Sequence, residues 1–217
     1  MASSFDGKFR SRASSYGRVS SGQQISRFEA MRISGGGARG ITLAVPRGDT
    51  VRPATDGMRQ SVFSSLGERV VGARFLDLFA GSGAYGLEAV SRGAAGGVFV
   101  EKSAKAVACL RSNITAVCKS LGRNAADLSV LQMDAAQAPA GAGKTPDLIF
   151  VDPPYDIITS IASSLFSRIA EFPKDGSDRL VIFEMPGEIE LAPEGWTCVK
   201  RLGKGARQPT VAFFRQN

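Results

Sequence analysis

The string Asp152-Pro153-Pro154-Tyr155 closes an apolar run, Leu148-Ile149-Phe150-Val151, and is the most chemically specific feature of the chain. A strand of this kind delivers Asp152 to the carboxyl edge of a sheet, where open α/β sheets bind ligands. The two prolines fix the backbone and remove two N–H donors, which leaves carbonyl oxygens facing the site. A carboxylate, a carbonyl and an aromatic ring suit a planar substrate with an exocyclic amine. Asp152 and the Pro153 carbonyl would accept its two hydrogens, and Tyr155 would stack on its face. The amine lone pair is then held towards an electrophile. Asp152, Pro153, Pro154 and Tyr155 are therefore the expected catalytic residues.

A second group would hold the electrophile. The run Phe75-Leu76-Asp77-Leu78-Phe79-Ala80-Gly81-Ser82-Gly83-Ala84-Tyr85-Gly86 reads as a strand, a glycine-rich turn and the start of a helix. Its Gly81-x-Gly83-x-x-Gly86 spacing matches the dinucleotide fingerprint, a weak signal by itself. Asp77, at the end of the strand, would face a pyrophosphate unfavourably but suits a cationic or hydroxyl-bearing ligand. S-adenosylmethionine carries an amino group and a sulfonium and has no phosphate. Glu101 ends the next apolar run, where an acid accepts hydrogen bonds from ribose hydroxyls of any adenosine-type cofactor. Asp134 follows the third run; it either receives an adenine amino group or caps a short helix over Ala135-Ala136.

Composition restricts the alternatives. The chain has 217 residues and no histidine, which excludes histidine-based triads, histidine general bases and histidine-containing metal sites. Cys109, Cys118 and Cys198 form no CxxC pair, so neither a disulfide framework nor a metal site is expected. The net charge of +7 is uneven: residues 1–60 hold ten Lys/Arg and four Asp/Glu, and the rest hold seventeen and sixteen. That basic front end fits either a polyanionic partner or a solvated tail. No apolar run reaches the roughly 20 residues that a membrane-spanning helix needs.

The elements that would position these residues alternate along the chain. Strands are predicted at Arg74–Phe79, Val98–Glu101, Leu128–Leu131, Leu148–Asp152 and Leu180–Glu184, with helices near 84–92, 103–121 and 157–170. Two further strands fall near 197–202 and 209–215. Short apolar strands separated by helices imply a parallel sheet covered on both faces, a doubly wound α/β domain. Ahead of it, Arg32–Ser34 and Ile41–Val45 flank a glycine turn as a β-hairpin, and a helix over 57–66 would be capped by Thr55 or Asp56. Three parts result: a disordered basic leader over 1–30, a hairpin and helix over 31–66, and a catalytic domain over 67–217. The Ser- and Arg-rich leader also fits a transit peptide or a nucleic-acid-binding arm.

With the residues in place, the chain resembles the RsmD family, the bacterial 16S ribosomal RNA guanine-N2 methyltransferases. The resemblance runs from Met31 to about Glu184. It rests on Arg32-Ile33-Ser34-Gly35-Gly36 with Arg39-Gly40, Arg52-Pro53-x-Thr55-Asp56 with Arg59 and Phe63, the Asp77–Gly83 turn, Leu87-Glu88-Ala89, Glu101, Asn113, Asp134 and Asp152–Tyr155. Gly57 and Met58 depart from it, standing where the family has Arg and Val. The resemblance implies a Rossmann-like class I methyltransferase fold with a mostly parallel seven-stranded sheet and an N-terminal extension. It implies S-adenosylmethionine as methyl donor, held by Asp77, Phe79, Gly81, Ser82, Gly83, Glu101 and Asp134, with guanine N2 held by Asp152 to Tyr155. Arg32, Arg39, Arg52 and Arg59 are expected to meet RNA phosphates, although any of them could instead pair with Asp49, Asp56 or backbone carbonyls. The expected partner is ribosomal RNA or a small-subunit assembly intermediate, met by a cytoplasmic monomer with no membrane contact; a leader-bearing precursor imported into an organelle is the other location. A DNA adenine-N6 or protein glutamine methyltransferase would share the Asp-Pro-Pro-Tyr string, and a non-catalytic RNA-binding assembly factor would share the fold.

Overall fold

A computed structural model describes residues 1, 31–46, 54–138, 144–173, 178–203, 205 and 208–217. Expectations for the leader and for Arg52 lie outside the described residues. The elements run in the order α1 (Ala54–Leu66), β1 (Arg74–Leu78), α2 (Ala84–Ser91), β2 (Gly96–Val100), α3 (Ala104–Leu121), β3 (Leu128–Leu131), β4 (Leu148–Val151), α4 (Ile158–Ala170), β5 (Leu180–Pro186), β6 (Trp196–Leu202) and β7 (Pro209–Gln216). Seven strands form one sheet in the order β3-β2-β1-β4-β5-β7-β6. The first five pair in parallel, and β7 enters antiparallel to both β5 and β6.

The strands are nearly continuous apolar runs because both faces are covered. On β4, Leu148 and Phe150 join one core cluster while Ile149 and Val151 join the other. On β5, Leu180 and Ile182 alternate in the same way with Val181 and Phe183. Apolar residues of α1, α2 and α3 cover the first face, and those of α4 cover the second. Helix ends follow their sequence signals. Ser103 caps α3 by accepting the Ala106 N–H, and Gly122 ends that helix in the left-handed region at φ 61°.

The N-terminal segment forms the expected hairpin only as a short, antiparallel pairing. Its arms share a single isolated bridge, Arg32 to Thr42, and no named strand forms there. Ile33 N–H donates to the Ile41 carbonyl at 3.0 Å and Leu43 N–H to the Met31 carbonyl at 2.8 Å across the arms, while other backbone groups bond to the domain. Gly37 N–H donates to the Ser91 carbonyl at 2.8 Å, Ala38 N–H to Ser91 Oγ at 2.9 Å and Ala44 N–H to Asn113 Oδ1 at 2.8 Å. The turn is thus held by α2, and the second arm turns to α3 at Ala44. Helix α1 starts at Ala54, so Thr55 and Asp56 lie in its first turn and not ahead of it.

Candidate active site

The carboxyl ends of β1, β2, β4 and β5 converge on a cavity of about 360 Å³, within the range of small-molecule sites. The glycine turn forms its floor, and Met31, Val45 and Pro46 of the N-terminal segment form part of its wall. Its charged lining is Asp77, Glu101, Lys102, Asp152 and Glu184. Four carboxylates against one ammonium disfavour a pyrophosphate and favour a cationic ligand.

The turn between β1 and α2 is strained and crowded. Phe79 holds φ 61°, the one non-glycine residue with positive φ among the described residues. Gly83 sits at φ 85°, and a Cβ there would lie 2.4 Å from Leu110 Cδ1. Glycine is thus required twice over, by backbone sign and by space. Gly81 N–H donates to Glu101 Oε2 at 2.9 Å, and Ser103 N–H donates to Glu101 Oε1 at 2.7 Å. Glu101 therefore joins the glycine turn to the start of α3. Asp77 is 2% exposed and accepts the Gly86 N–H at 2.9 Å. Burial raises its carboxyl from 3.8 to about 7; the Gly86 hydrogen bond opposes this and the Glu101 charge adds to it.

Asp77, Phe79, Gly81, Ser82 and Glu101 all line the cavity, as do Asp152, Pro153, Pro154 and Tyr155. Gly83 supports the turn from behind, against Leu110. Asp134 takes the capping role: its Oδ1 accepts the Ala136 N–H at 2.9 Å, and its neighbour Ala135 lines the cavity. Arg168 clamps that turn from α4, donating to the carbonyls of Ala136 and Ala138. After β4, Pro153 is buried and the Pro154 carbonyl accepts the Ile157 N–H at 3.2 Å, which turns Tyr155 into a short 3₁₀ helix over Tyr155–Ile157.

Two buried, hydrogen-bonded side chains of the cavity, Tyr85 and Glu184, carried no expectation as site residues. Tyr85, in the first turn of α2, donates its hydroxyl to Glu184 Oε2 at 2.7 Å, and its ring stacks on Phe150 at 5.4 Å. Burial first, then the Glu184 and Asp152 charges, push the Tyr85 hydroxyl well above its ordinary value of 10. Glu184 is buried near the end of β5 and reaches the same cavity. Its signal was present in the sequence, since it ends an apolar run as Glu101 and Asp152 do.

The arginines separate into two kinds. Arg32 and Arg39 are exposed. Arg59 is 1% exposed, which corrects the expectation that it meets a phosphate. Its guanidinium bonds Asp56 Oδ1 at 2.8 Å, Glu88 Oε2 at 3.4 Å and the Arg32 carbonyl. Glu88, fully buried, also accepts Ser34 N–H at 2.7 Å, Ser34 Oγ at 2.8 Å and Arg92 Nε at 2.8 Å. The conflict between a buried cation and water is resolved inside the protein.

The family model described as "Conserved hypothetical protein 95" matches residues 31–214. A Bacillus subtilis protein named "Putative rRNA methyltransferase YlbH" is 35% identical over 164 residues, covering 74% of this chain and 85% of that one. The chain belongs to this family, the RsmD family. Within the family, "Ribosomal RNA small subunit methyltransferase D" of Escherichia coli K12 is 38% identical over 125 residues, 58% of this chain and 60% of that one. The solved structure described as "Putative methyltransferase yhhF from Escherichia coli" superposes with a TM-score of 0.69 at 28% identity, covering 86% of this chain and 98% of the other. The Rossmann-like methyltransferase fold expected of the family is the fold observed. No helix among the described residues is long and apolar enough to cross a membrane.

Proposed function

We propose that this chain methylates small-subunit ribosomal RNA, transferring a methyl group from S-adenosylmethionine to the exocyclic N2 of a guanine. The observation that carries the reading is the acid-lined cavity, in which the Asp152–Tyr155 string and the Glu101-braced glycine turn face one space. The names of its family relatives support ribosomal RNA as the substrate. The cavity fits the cofactor: Asp77 and Glu101 suit a cation and ribose hydroxyls, and Gly81 leaves open space where a Cβ would stand. When bound, the cofactor supplies a methyl group on a sulfonium centre, electrophilic without metal or histidine.

The chain's own residues do the rest. Asp77, Phe79, Gly81, Ser82 and Glu101 would hold the cofactor, with Gly83 fixing the turn and Asp134 positioning Ala135. Asp152 would accept one hydrogen of the guanine amine and the Pro153 carbonyl the other, which sets the direction of the nitrogen lone pair. Tyr155 would stack on the base. No strong base is needed, because an alkylated amine releases its proton to water. The base must leave its stack to reach the cavity, so an unpaired nucleotide suits it. Arg32, Arg39 and Arg52 would position phosphates without reading sequence. The chain would act as a monomer on free RNA or on an assembly intermediate.

Asp152→Ala should abolish transfer while calorimetry still shows cofactor binding. A tritiated-methyl assay offering small subunits, naked ribosomal RNA, DNA and protein reads the outcome. Undiminished transfer by the variant, or label in DNA or protein alone, would overturn the proposal.

A further inference from the structure

We propose that Glu184, held by Tyr85, selects guanine by accepting its N1–H beside the amine that Asp152 receives. The inference rests on the guanine-N2 reading and adds the residue that discriminates the base. Strands β4 and β5 are parallel neighbours, with Val151 paired to Phe183. Asp152, just past the end of β4, and Glu184, within β5, therefore occupy neighbouring register positions, about 5 Å apart along the direction of strand pairing. Both line the cavity, and both charges act on the Tyr85 hydroxyl between α2 and the sheet.

The arrangement matches one edge of one base. Guanine presents two neighbouring donors on its Watson–Crick edge, the N2 amine and N1–H. Adenine presents an amine next to N1 as well, but its N1 is an acceptor. A carboxylate at Asp152 accepts from the amine of either base and so cannot tell them apart. A second carboxylate at the adjoining position accepts from guanine N1–H and repels the lone pair of adenine N1. A site built to receive a donor rejects the analogue that lacks it far more strongly than an apolar pocket rejects a size mismatch.

Tyr85 makes this usable. Its hydroxyl donates to Glu184 Oε2 at 2.7 Å, and its ring is stacked against Phe150 at an interplanar angle of 19°. The ring is also packed near Phe63, at 6.4 Å between centroids. A phenol locked in an aromatic cluster therefore fixes one carboxylate oxygen. Glu184 is 5% exposed, so its rotamer is constrained by packing as well. Tyr85 is a positioning residue, acting through Glu184.

The test is base discrimination. The substrate is the form of ribosomal RNA that the wild-type chain methylates, free or assembled, with either the natural guanine or adenine at the mapped nucleotide. The variants are Glu184→Gln and Tyr85→Phe. Glu184→Gln should lower kcat/KM on the guanine substrate by about 10- to 100-fold, the factor carried by one hydrogen bond to a charged group. It should also narrow the guanine-to-adenine ratio at least tenfold, while the cofactor dissociation constant stays within about threefold. Tyr85→Phe should narrow that ratio in the same direction by a smaller factor. An unchanged ratio in Glu184→Gln overturns the inference; if that variant no longer binds cofactor, an unchanged ratio in Tyr85→Phe overturns it instead. Failure of the underlying reading shows separately, as a wild-type product other than N2-methylguanosine.

Discussion

Replacing Asp77 by Asn isolates the ionisation of one buried carboxyl. The substitution keeps the side-chain shape, and the amide oxygen can still accept the Gly86 N–H that Asp77 receives at 2.9 Å. Only the charge is lost. Burial raises the Asp77 carboxyl from 3.8 to about 7, so ionising it in the ligand-free fold costs about 4 kcal/mol at 1.4 kcal/mol per pH unit. The sign follows from proton binding. Between pH 4 and 7 the folded chain holds this proton and the unfolded chain has released it, so stability falls as pH rises and levels off above 7. Asp77→Asn escapes that loss, and its stability margin over wild type should widen by about 3 kcal/mol between pH 5 and pH 8. Urea unfolding of both ligand-free chains at those two pH values measures the margin. The cofactor provides an independent arm: a cation in the cavity favours the carboxylate, so wild-type affinity should rise with pH up to about 7, with proton release, and the variant's should stay flat. A margin that does not change with pH would refute the argument that this carboxyl is buried and uncompensated.

Gly83→Ala should lose about 3 kcal/mol of stability, because a Cβ at φ 85° would stand 2.4 Å from Leu110 Cδ1; a thermal melt at the wild-type temperature would contradict this. Arg59→Met should cost about 3 kcal/mol, since it removes one cation from the fully buried Glu88, and denaturant unfolding reads the loss. Arg39→Ala should leave stability unchanged, weaken RNA binding across sequences and lower the salt slope by about 1. Equal stability effects at Arg39 and Arg59 would erase the distinction drawn between them.

The sheet was legible because its strands are short apolar runs and its turns are glycines. β3 falls at Leu128–Leu131 as expected, and α3 begins one residue after the predicted start, at its cap Ser103. β2 begins earlier than its apolar residues suggest, at Gly96, where a Cβ would strike the Asp127 carbonyl at 2.4 Å; close strand approach, and not hydropathy, sets that boundary. The cavity acids Glu101 and Asp152 were readable as polar ends of apolar strands. For Arg59 the alternative pairing with Asp56 and a backbone carbonyl was readable and holds, but its burial on Glu88 was not, since that partner lies 29 residues away and only tertiary packing joins them. Glu184 ends an apolar run as Glu101 and Asp152 do, but its pairing with Tyr85 was not readable, since the two are 99 residues apart. The hairpin over 32–45 follows the local pattern in its cross-arm bonds at Ile33 and Leu43, but the local pattern does not show that its turn and the Ala44 N–H are held by Ser91 and Asn113.

Asn113 has a consequence for how the molecule yields to force. From α3 its amide donates to the Ala44 carbonyl and to the Ser82 carbonyl, each at 2.9 Å, and its oxygen accepts the Ala44 N–H. The residue is 2% exposed, so detaching Ala44 would strand a buried amide as well as loosen the turn at Ser82. Leading segments usually fray at little cost. This one is tied to the glycine turn through a single buried amide, which couples the opening of the two. A pull on Arg32 or Arg39 is then transmitted to the floor of the cavity, so the exposed arginines and the glycine turn belong to one mechanical element.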